Sequence, residues 1–352
     1  MKENQRKRHI NIPIFIPHLG CPNACVFCNQ RSISGKRDFD INGVKEETER
    51  ALSTVDRDSR EVEIAFFGGS FTGIDRTLMT ELLGMAKHYV DDGRVDSIRL
   101  STRPDYIDEE ILDILQKYGV GTIELGIQSM SDRVLAASKR GHTAAVSKRA
   151  CKLIKERGFS LVGQMMIGLP ASSVEDETAC AEAICDMGAN AARVYPTVVF
   201  YDTELKEMAE RGDYAPLDAD EAVCRTKEVL KVFDKRGVPC IRVGLQSSEN
   251  LSSKESVYAG PNDSAIGEMA MSELFYEKIR AELDKSDDLS GCDIVLYVAR
   301  GATSKASGQK RKNKIRLRKE YGLKNIKIVE IDTLLGYNIK IDKICREEER
   351  FN

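Results

Sequence analysis

Short apolar runs alternate along the first two-thirds of the chain with longer stretches in which apolar residues recur every three or four positions. The runs at 12–16, 63–67, 97–100, 122–127, 161–167 and 192–200 have the length and turn-bounded edges of buried strands. The stretches at 44–53, 78–89, 107–118, 144–157, 173–187 and 218–236 have the period of amphipathic helices. Thr143 and Asp218 stand where a side-chain oxygen caps a helix. Glu175, Asp176 and Glu177 put negative charge in the first turn of theirs, as the helix dipole favours. Gly68-Gly69 closes the second run and Gly168-Leu169-Pro170 the fifth.

The pattern amounts to six β–α units in 236 residues. Such alternation gives parallel strands joined by right-handed crossovers. Six units fall short of the eight of a closed barrel, so the expected fold is α/β, a partial (β/α)6 TIM-like barrel. Chemistry is then expected on the βα loops at the carboxyl ends of the strands. After residue 245 the pattern changes. A polar, Ser-rich stretch leads into a helical segment at 274–283, strands at 294–298 and 326–331, and a charged tail. The reading is a barrel over 1–245 and a small α+β C-terminal extension over 246–352.

The 352 residues suit roughly two domains of about 150. With 41% hydrophobic and 31% charged residues the chain reads as globular, not disordered. No run approaches the roughly 18 apolar residues of a membrane span. The basic start, Met1 to His9, lacks an apolar stretch behind it, so a cytoplasmic protein without a membrane partner is expected. The net charge of −3 excludes a strongly basic nucleic-acid coat but leaves room for a local basic site.

Ten cysteines in a chain of this kind point to metal ligands, catalytic groups or small packing residues rather than a disulfide framework. Cys151, Cys180, Cys185, Cys224, Cys240, Cys292 and Cys345 are scattered and read as packing residues. Cys21, Cys25 and Cys28 stand together in Cys-Pro-Asn-Ala-Cys-Val-Phe-Cys, directly after the first strand. Spacings of four and three let three thiolates converge on one metal centre. Structural zinc wants four protein ligands, so His18 or a distant cysteine would have to complete the set. A four-iron cluster accepts three thiolates and leaves one iron for an external ligand.

The cysteine loop, with its aromatic residue before the third cysteine, resembles the signature of the radical S-adenosylmethionine (SAM) superfamily. The likeness continues in order through Gly68-Gly69-Ser70-Phe71-Thr72, Ser101-Thr102-Arg103-Pro104-Asp105-Tyr106 and Glu124-Leu125-Gly126-Ile127-Gln128-Ser129. It runs on through Arg140-Gly141-His142-Thr143, Gln164-Met165-Met166-Ile167-Gly168-Leu169-Pro170 and Val194-Tyr195-Pro196-Thr197. The set, over residues 10–245, is most similar to the radical SAM half of the Elongator catalytic subunit, which modifies the wobble uridine of tRNA. It is more distantly similar to oxygen-independent coproporphyrinogen III oxidase. The residues after 245 resemble the extension of stand-alone Elongator-like proteins and are too few for an acetyltransferase domain as well.

The resemblance implies a 4Fe-4S cluster on Cys21, Cys25 and Cys28, with SAM on the open iron. It also implies an electron donor protein and a 5′-deoxyadenosyl radical as the product of SAM cleavage. It makes Phe27, Gly68, Gly69, Ser70, Ser101, Gln128, Arg140 and Gln164 candidate SAM contacts. Gly68 and Gly69 would let backbone approach the methionyl group. Arg140 would pair with its carboxylate, and Phe27 would shield the cluster or meet adenine. Tyr195 is the candidate catalytic residue, on the same strand face as Arg193. Tyr106 and Tyr201 join it as candidates for stacking a single flipped base.

The segment 303–319 carries eight Lys/Arg and no acid. Lys310, Arg311, Lys312, Lys314, Arg316 and Arg318 are its candidates for contacting tRNA or another RNA. The bland alternative is a solvated basic face. Three other readings compete with RNA modification. They are a radical SAM enzyme on a small porphyrin-like substrate, a metal-stabilised RNA-binding module without catalysis, and an electron-transfer iron–sulfur protein. The last needs four thiolates where only three are close.

Overall fold

The computed structural model describes residues 8–16, 21, 25–29, 40–56, 60–244, 256–286 and 288–344. In chain order the barrel elements are β1 (Arg8–Phe15), α1 (Ile41–Ser53), β2 (Arg60–Phe67), α2 (Arg76–Asp91), β3 (Ser97–Thr102), α3 (Glu109–Lys117), β4 (Val120–Gln128), α4 (Asp132–Ala137), α5 (Ala144–Glu156), β5 (Ser160–Ile167), α6 (Val174–Asp186) and β6 (Ala191–Pro196). Then come β7 (Val199–Phe200), α7 (Glu204–Arg211), α8 (Ala219–Lys235), β8 (Cys240–Val243), β9 (Val257–Ala259) and α9 (Ile266–Leu283). The chain closes with β10 (Asp293–Val298), α10 (Thr303–Ser307), α11 (Lys312–Tyr321), β11 (Asn325–Glu330) and β12 (Ile339–Ile344).

Strands β1 to β6 and β8 form one parallel sheet in sequence order. The half-barrel expected from the alternation is therefore present, with one strand more than six. That seventh strand is only four residues long and leaves Ile241 48% exposed, so it carries little hydrophobic signal. The apolar run at 192–200 is not one strand. It breaks after Pro196, whose ring supplies no donor to a ladder. Thr197 turns back there, its N–H and hydroxyl both bonding the Ile167 carbonyl, at 2.9 and 2.7 Å. Beyond that turn β7 pairs antiparallel with the distant β9 to make a separate two-stranded sheet.

Asp40, Asp75, Asp108, Thr143, Ser173 and Asp218 each cap a barrel helix through a side-chain oxygen. The helices bury one face of the sheet, where Ile14, Ile64, Phe66, Leu100, Ile123 and Val194 make the core. The extension is a three-stranded sheet in the order β11-β10-β12, with β11 parallel and β12 antiparallel to β10. Part of the tail expected to be merely charged is thus strand β12.

Helix α9 begins eight residues before the segment expected to be helical and ties the two parts together. Ile266, Ala270 and Leu274 lie in the barrel core, whereas Phe275, Ile279 and Leu283 lie in the core of the extension. A helix serving two cores is apolar on two sides, which erases the single stripe that reveals an ordinary surface helix. Its first turn sits directly on the end of β8. A Cβ on Gly267 would lie 2.3 Å from the Val243 carbonyl oxygen.

Gly267→Ala is accordingly expected to cost roughly 1–3 kcal/mol by overpacking. The check is a lower thermal midpoint than wild type; an unchanged midpoint would show that the seat has slack.

Candidate cofactor site

The sheet face turned away from the helices carries charge. Glu63 on β2, Arg99 on β3, Glu124 on β4 and Arg193 on β6 form a chain of ion pairs across it. Arg99 bonds Glu63 at 2.7 Å and Glu124 at 2.8 Å, and Arg193 reaches Glu124 at 2.8 Å. His9 closes the other end on Glu63 at 2.7 Å. Burial raises the pKa of Glu63, but His9 and Arg99 outweigh it and hold the carboxyl below the usual range. Arg193 also donates to the Tyr195 hydroxyl at 3.2 Å, so the two side chains do share a face. The Tyr195 oxygen is the acceptor in that bond, which leaves its proton free to point away from Arg193.

The mouth of the half-barrel lies above this floor. Cys25 is buried there between two guanidinium groups, with Arg140 Nη1 3.2 Å and Arg103 Nη1 3.7 Å from its sulfur. Asp105 grips Arg103 in a fork, with two bonds of 2.9 Å. A further bond links Arg103 to the Arg140 carbonyl, and Arg140 also donates to the Gly126 carbonyl at 2.7 Å. The Cys21 sulfur is 3.3 Å from the Ser70 hydroxyl. Cys28 is joined to Cys25 through its backbone N–H at 3.0 Å. Val26 anchors the loop on both sides, donating to Ser138 at 3.3 Å and accepting from Leu205 at 2.8 Å. Among the described residues no three ligating side chains converge as a ready metal set.

The structure brings most of the expected residues to this mouth, though not always in the expected role. Gly68 has φ +120, and a Cβ there would stand 2.3 Å from the Ile16 carbonyl oxygen. Its missing side chain makes room for the backbone that follows β1. Gly69 is half-buried in the same exit loop, and Ser70 is buried beside Cys21. Phe27 packs with Val26, Val199, Leu205 and Tyr214. Ser101 donates to the Phe66 carbonyl at 3.4 Å. Gln164 pairs in register with Gly126 on one side and Arg193 on the other, which puts it on the charged face below the mouth. Gln128 ends β4 in a left-handed conformation, φ 67, and is buried. Arg103 stands in the Ser101–Tyr106 motif, but its contact with Cys25 spans 78 residues and no local spacing signals it.

At the mouth Gln128 Oε1 and Arg140 Nε are buried without a hydrogen-bond partner, as is His142 Nε2 beside them. An acceptor and a donor left unpaired in a buried place each cost about 1–3 kcal/mol unless a ligand serves them. Three thiols on one loop suit a cluster, and two cations beside Cys25 complement the negative charge of thiolate ligands. The residues present therefore fit the cluster and a polar cofactor. His142 borders the same group. Burial, with the charge of Arg140, lowers its pKa from 6.5 to about 4. The other cysteines are mostly inert: burial raises the Cys151 and Cys180 thiols to about 12. Cys224 is exposed instead of packed, Cys292 is buried but disulfide-bonded, and Cys345 and His18 lie outside the described residues.

A family model described as the radical SAM superfamily matches residues 15–183, and one described as a Radical_SAM C-terminal domain matches 189–275. The chain belongs to the radical SAM superfamily. It is an enzyme of this class, and the radical SAM family uses a 4Fe-4S cluster and SAM. Among radical SAM relatives, a Methanocaldococcus jannaschii protein, MJ0486, is 29% identical over 66% of this chain and 74% of its own length. The tRNA uridine(34) acetyltransferase of the same organism is 25% identical over 58% of this chain and 45% of its own, so this chain spans less than half of it. A solved structure of Methanocaldococcus infernus Elp3 shares the fold, with a TM-score of 0.60 at 19% identity, over 78% of this chain and 63% of that one. No described helix is long and apolar enough to cross a membrane.

On the extension, Lys312 and Arg316 are drawn to Glu273 of α9, at 3.1 and 2.8 Å. Arg316 also lies 3.6 Å over the Tyr276 ring. Burial raises the pKa of Glu273, and these two cations outweigh it to hold the carboxyl below its usual range. Arg318 is exposed.

Two outcomes follow from this geometry. Arg140→Ala removes a charged donor from Cys25, so iron retained after anaerobic reconstitution should fall roughly tenfold or more, given about 1.5–3 kcal/mol for such a bond. Iron retention equal to wild type would take Arg140 out of the cluster environment. His142 has its pKa lowered on folding, so the stability it contributes is present above pH 6.5 and is lost as pH falls from 6.5 through about 4. Thermal midpoints at pH 7 and pH 5 should therefore differ less in His142→Gln than in wild type.

Proposed function

We propose that this radical SAM enzyme holds its 4Fe-4S cluster on Cys21, Cys25 and Cys28 and modifies a base of tRNA or another RNA. The observation that carries the reading is the pairing of Cys25 with Arg103 and Arg140 at the mouth, beside the unpartnered Gln128 acceptor. Kinship with a tRNA uridine(34) acetyltransferase supports RNA as the substrate class. The cofactors, when bound and reduced by an electron donor protein, supply cleavage of SAM to methionine and a 5′-deoxyadenosyl radical.

The chain's own residues supply position and charge. Arg140 and Arg103 hold the Cys25 sulfur and keep the loop seated. Gln128 Oε1 accepts from a cofactor hydroxyl or amino group, and Ser70, Ser101 and Gln164 line the same approach. Gly68 and Gly69 close the β2 turn so that Ser70 reaches Cys21, and Phe27 screens the loop from water. Tyr195, oriented by Arg193, donates a hydrogen bond to a substrate acceptor inside the half-barrel. The basic segment of the extension meets phosphate.

The test is anaerobic reconstitution with iron and sulfide, reduction, and addition of SAM. Wild type is expected to form 5′-deoxyadenosine and methionine, and Cys25→Ala to hold no cluster and form neither. Iron binding with intact SAM would defeat the radical reading. Turnover stimulated by a small metabolite, with no binding of tRNA, would replace RNA as the substrate class.

A further inference from the structure

We propose that Lys310, Arg311 and Lys314 form a rigid phosphate-binding tip that registers an RNA backbone against the barrel mouth, with Lys312 and Arg316 as its fastening. The inference rests on the RNA reading above and adds where the RNA is held.

The basic segment divides into two sets that the sequence does not distinguish. Lys312 and Arg316 are spent on Glu273 and Tyr276 of α9. Lys310 and Arg311 are exposed and Lys314 half-exposed, and none of the three has an ion pair among the described residues. Their charge is available to an outside partner, in a chain whose net charge is −3.

The backbone beneath them is strained. Lys310 and Arg311 are consecutive residues with φ of 50 and 63, a conformation that side chains bearing a Cβ avoid and that glycine or asparagine would take at less cost. The neighbouring structure enforces it. Asn313 is fully buried, and its amide donates to the Ser272 carbonyl at 2.8 Å, the Ser272 hydroxyl at 3.0 Å and the Ala306 carbonyl at 3.3 Å. Strain held in place by a buried clamp, at two adjacent cations, marks a place where side-chain position matters more than local stability.

The clamp also fixes where the tip is. Ser272 lies five residues along α9 from Gly267, which sits against the Val243 carbonyl at the carboxyl end of β8. At about 1.5 Å per residue the fastening point is about 8 Å along the helix from the rim of the mouth. Phosphate contacts set position and orientation without reading sequence, which is what a base-modifying site needs from a remote grip.

The experiment uses the full reconstituted chain and labelled unfractionated tRNA, followed by fluorescence anisotropy across a salt series. The variant is Lys310→Gly with Arg311→Gly and Lys314→Ala. Glycine relieves the left-handed strain, so the thermal midpoint should equal or exceed that of wild type. Affinity should nonetheless fall tenfold or more near 0.1 M salt, and the slope of log affinity against log salt should become shallower by about 2–3. The pair Lys312→Ala with Arg316→Ala should lower the thermal midpoint and keep the wild-type salt slope. If wild type binds tRNA and the glycine variant binds with equal affinity and slope, the tip is wrong while the RNA reading stands; a tip that serves an acidic protein gives this result too. If wild type does not bind tRNA at any salt, the RNA reading falls and the tip with it.

Discussion

A parallel sheet that stops short of closing has one face covered by helices and another that must be filled some other way. A closed barrel packs that interior with layers of branched apolar side chains. Here Glu63, Arg99, Glu124 and Arg193 span it with mutually paired charges. Each is held by its neighbours on other strands, and removing one member of such a buried pair leaves an uncompensated charge at a cost of about 3–5 kcal/mol. The polar interior is therefore cooperative.

Strand β4 connects that floor to the mouth. Glu124 anchors both arginines of the floor, the Gly126 carbonyl receives Arg140, and Gln128 ends the strand in a left-handed turn with its Oε1 unpaired. Three alternate positions of one strand thus meet the charged floor, Arg140 and the open mouth in turn. Arg140 passes the arrangement on to Cys25, and Arg103 with Asp105 braces it from the neighbouring loop.

Periodicity alone exposed the first six strands, because each is either a compact apolar run or flanked by strong turn residues. β8 escaped because four half-exposed residues carry no such pattern. β7 hid inside a longer apolar run that only Pro196 divides. The cysteine loop stands out by spacing, since three cysteines within eight residues need no tertiary information. Arg103 does not, because its partner is 78 positions away. The need for glycine at 68 to clear the Ile16 carbonyl is a tertiary contact that no local pattern shows. The basic segment was visible as composition, but which of its charges are free depends on Glu273, far off in sequence and adjacent in space.

Helix α9 also bears on how the protein comes into being. The barrel core includes Ile266, Ala270 and Leu274, and Tyr337 packs against it as well. A ribosome emits the cysteine loop first and these residues late. The nascent half-barrel therefore lacks one wall until α9 has been synthesised, and Cys25 waits more than a hundred residues for Arg140. The cysteine loop is the earliest part of the mouth to be made, and its contacts come from residues 70 to 205, before α9 begins. The mouth is thus complete in sequence before the core beneath it, and α9 is the piece that finishes the barrel.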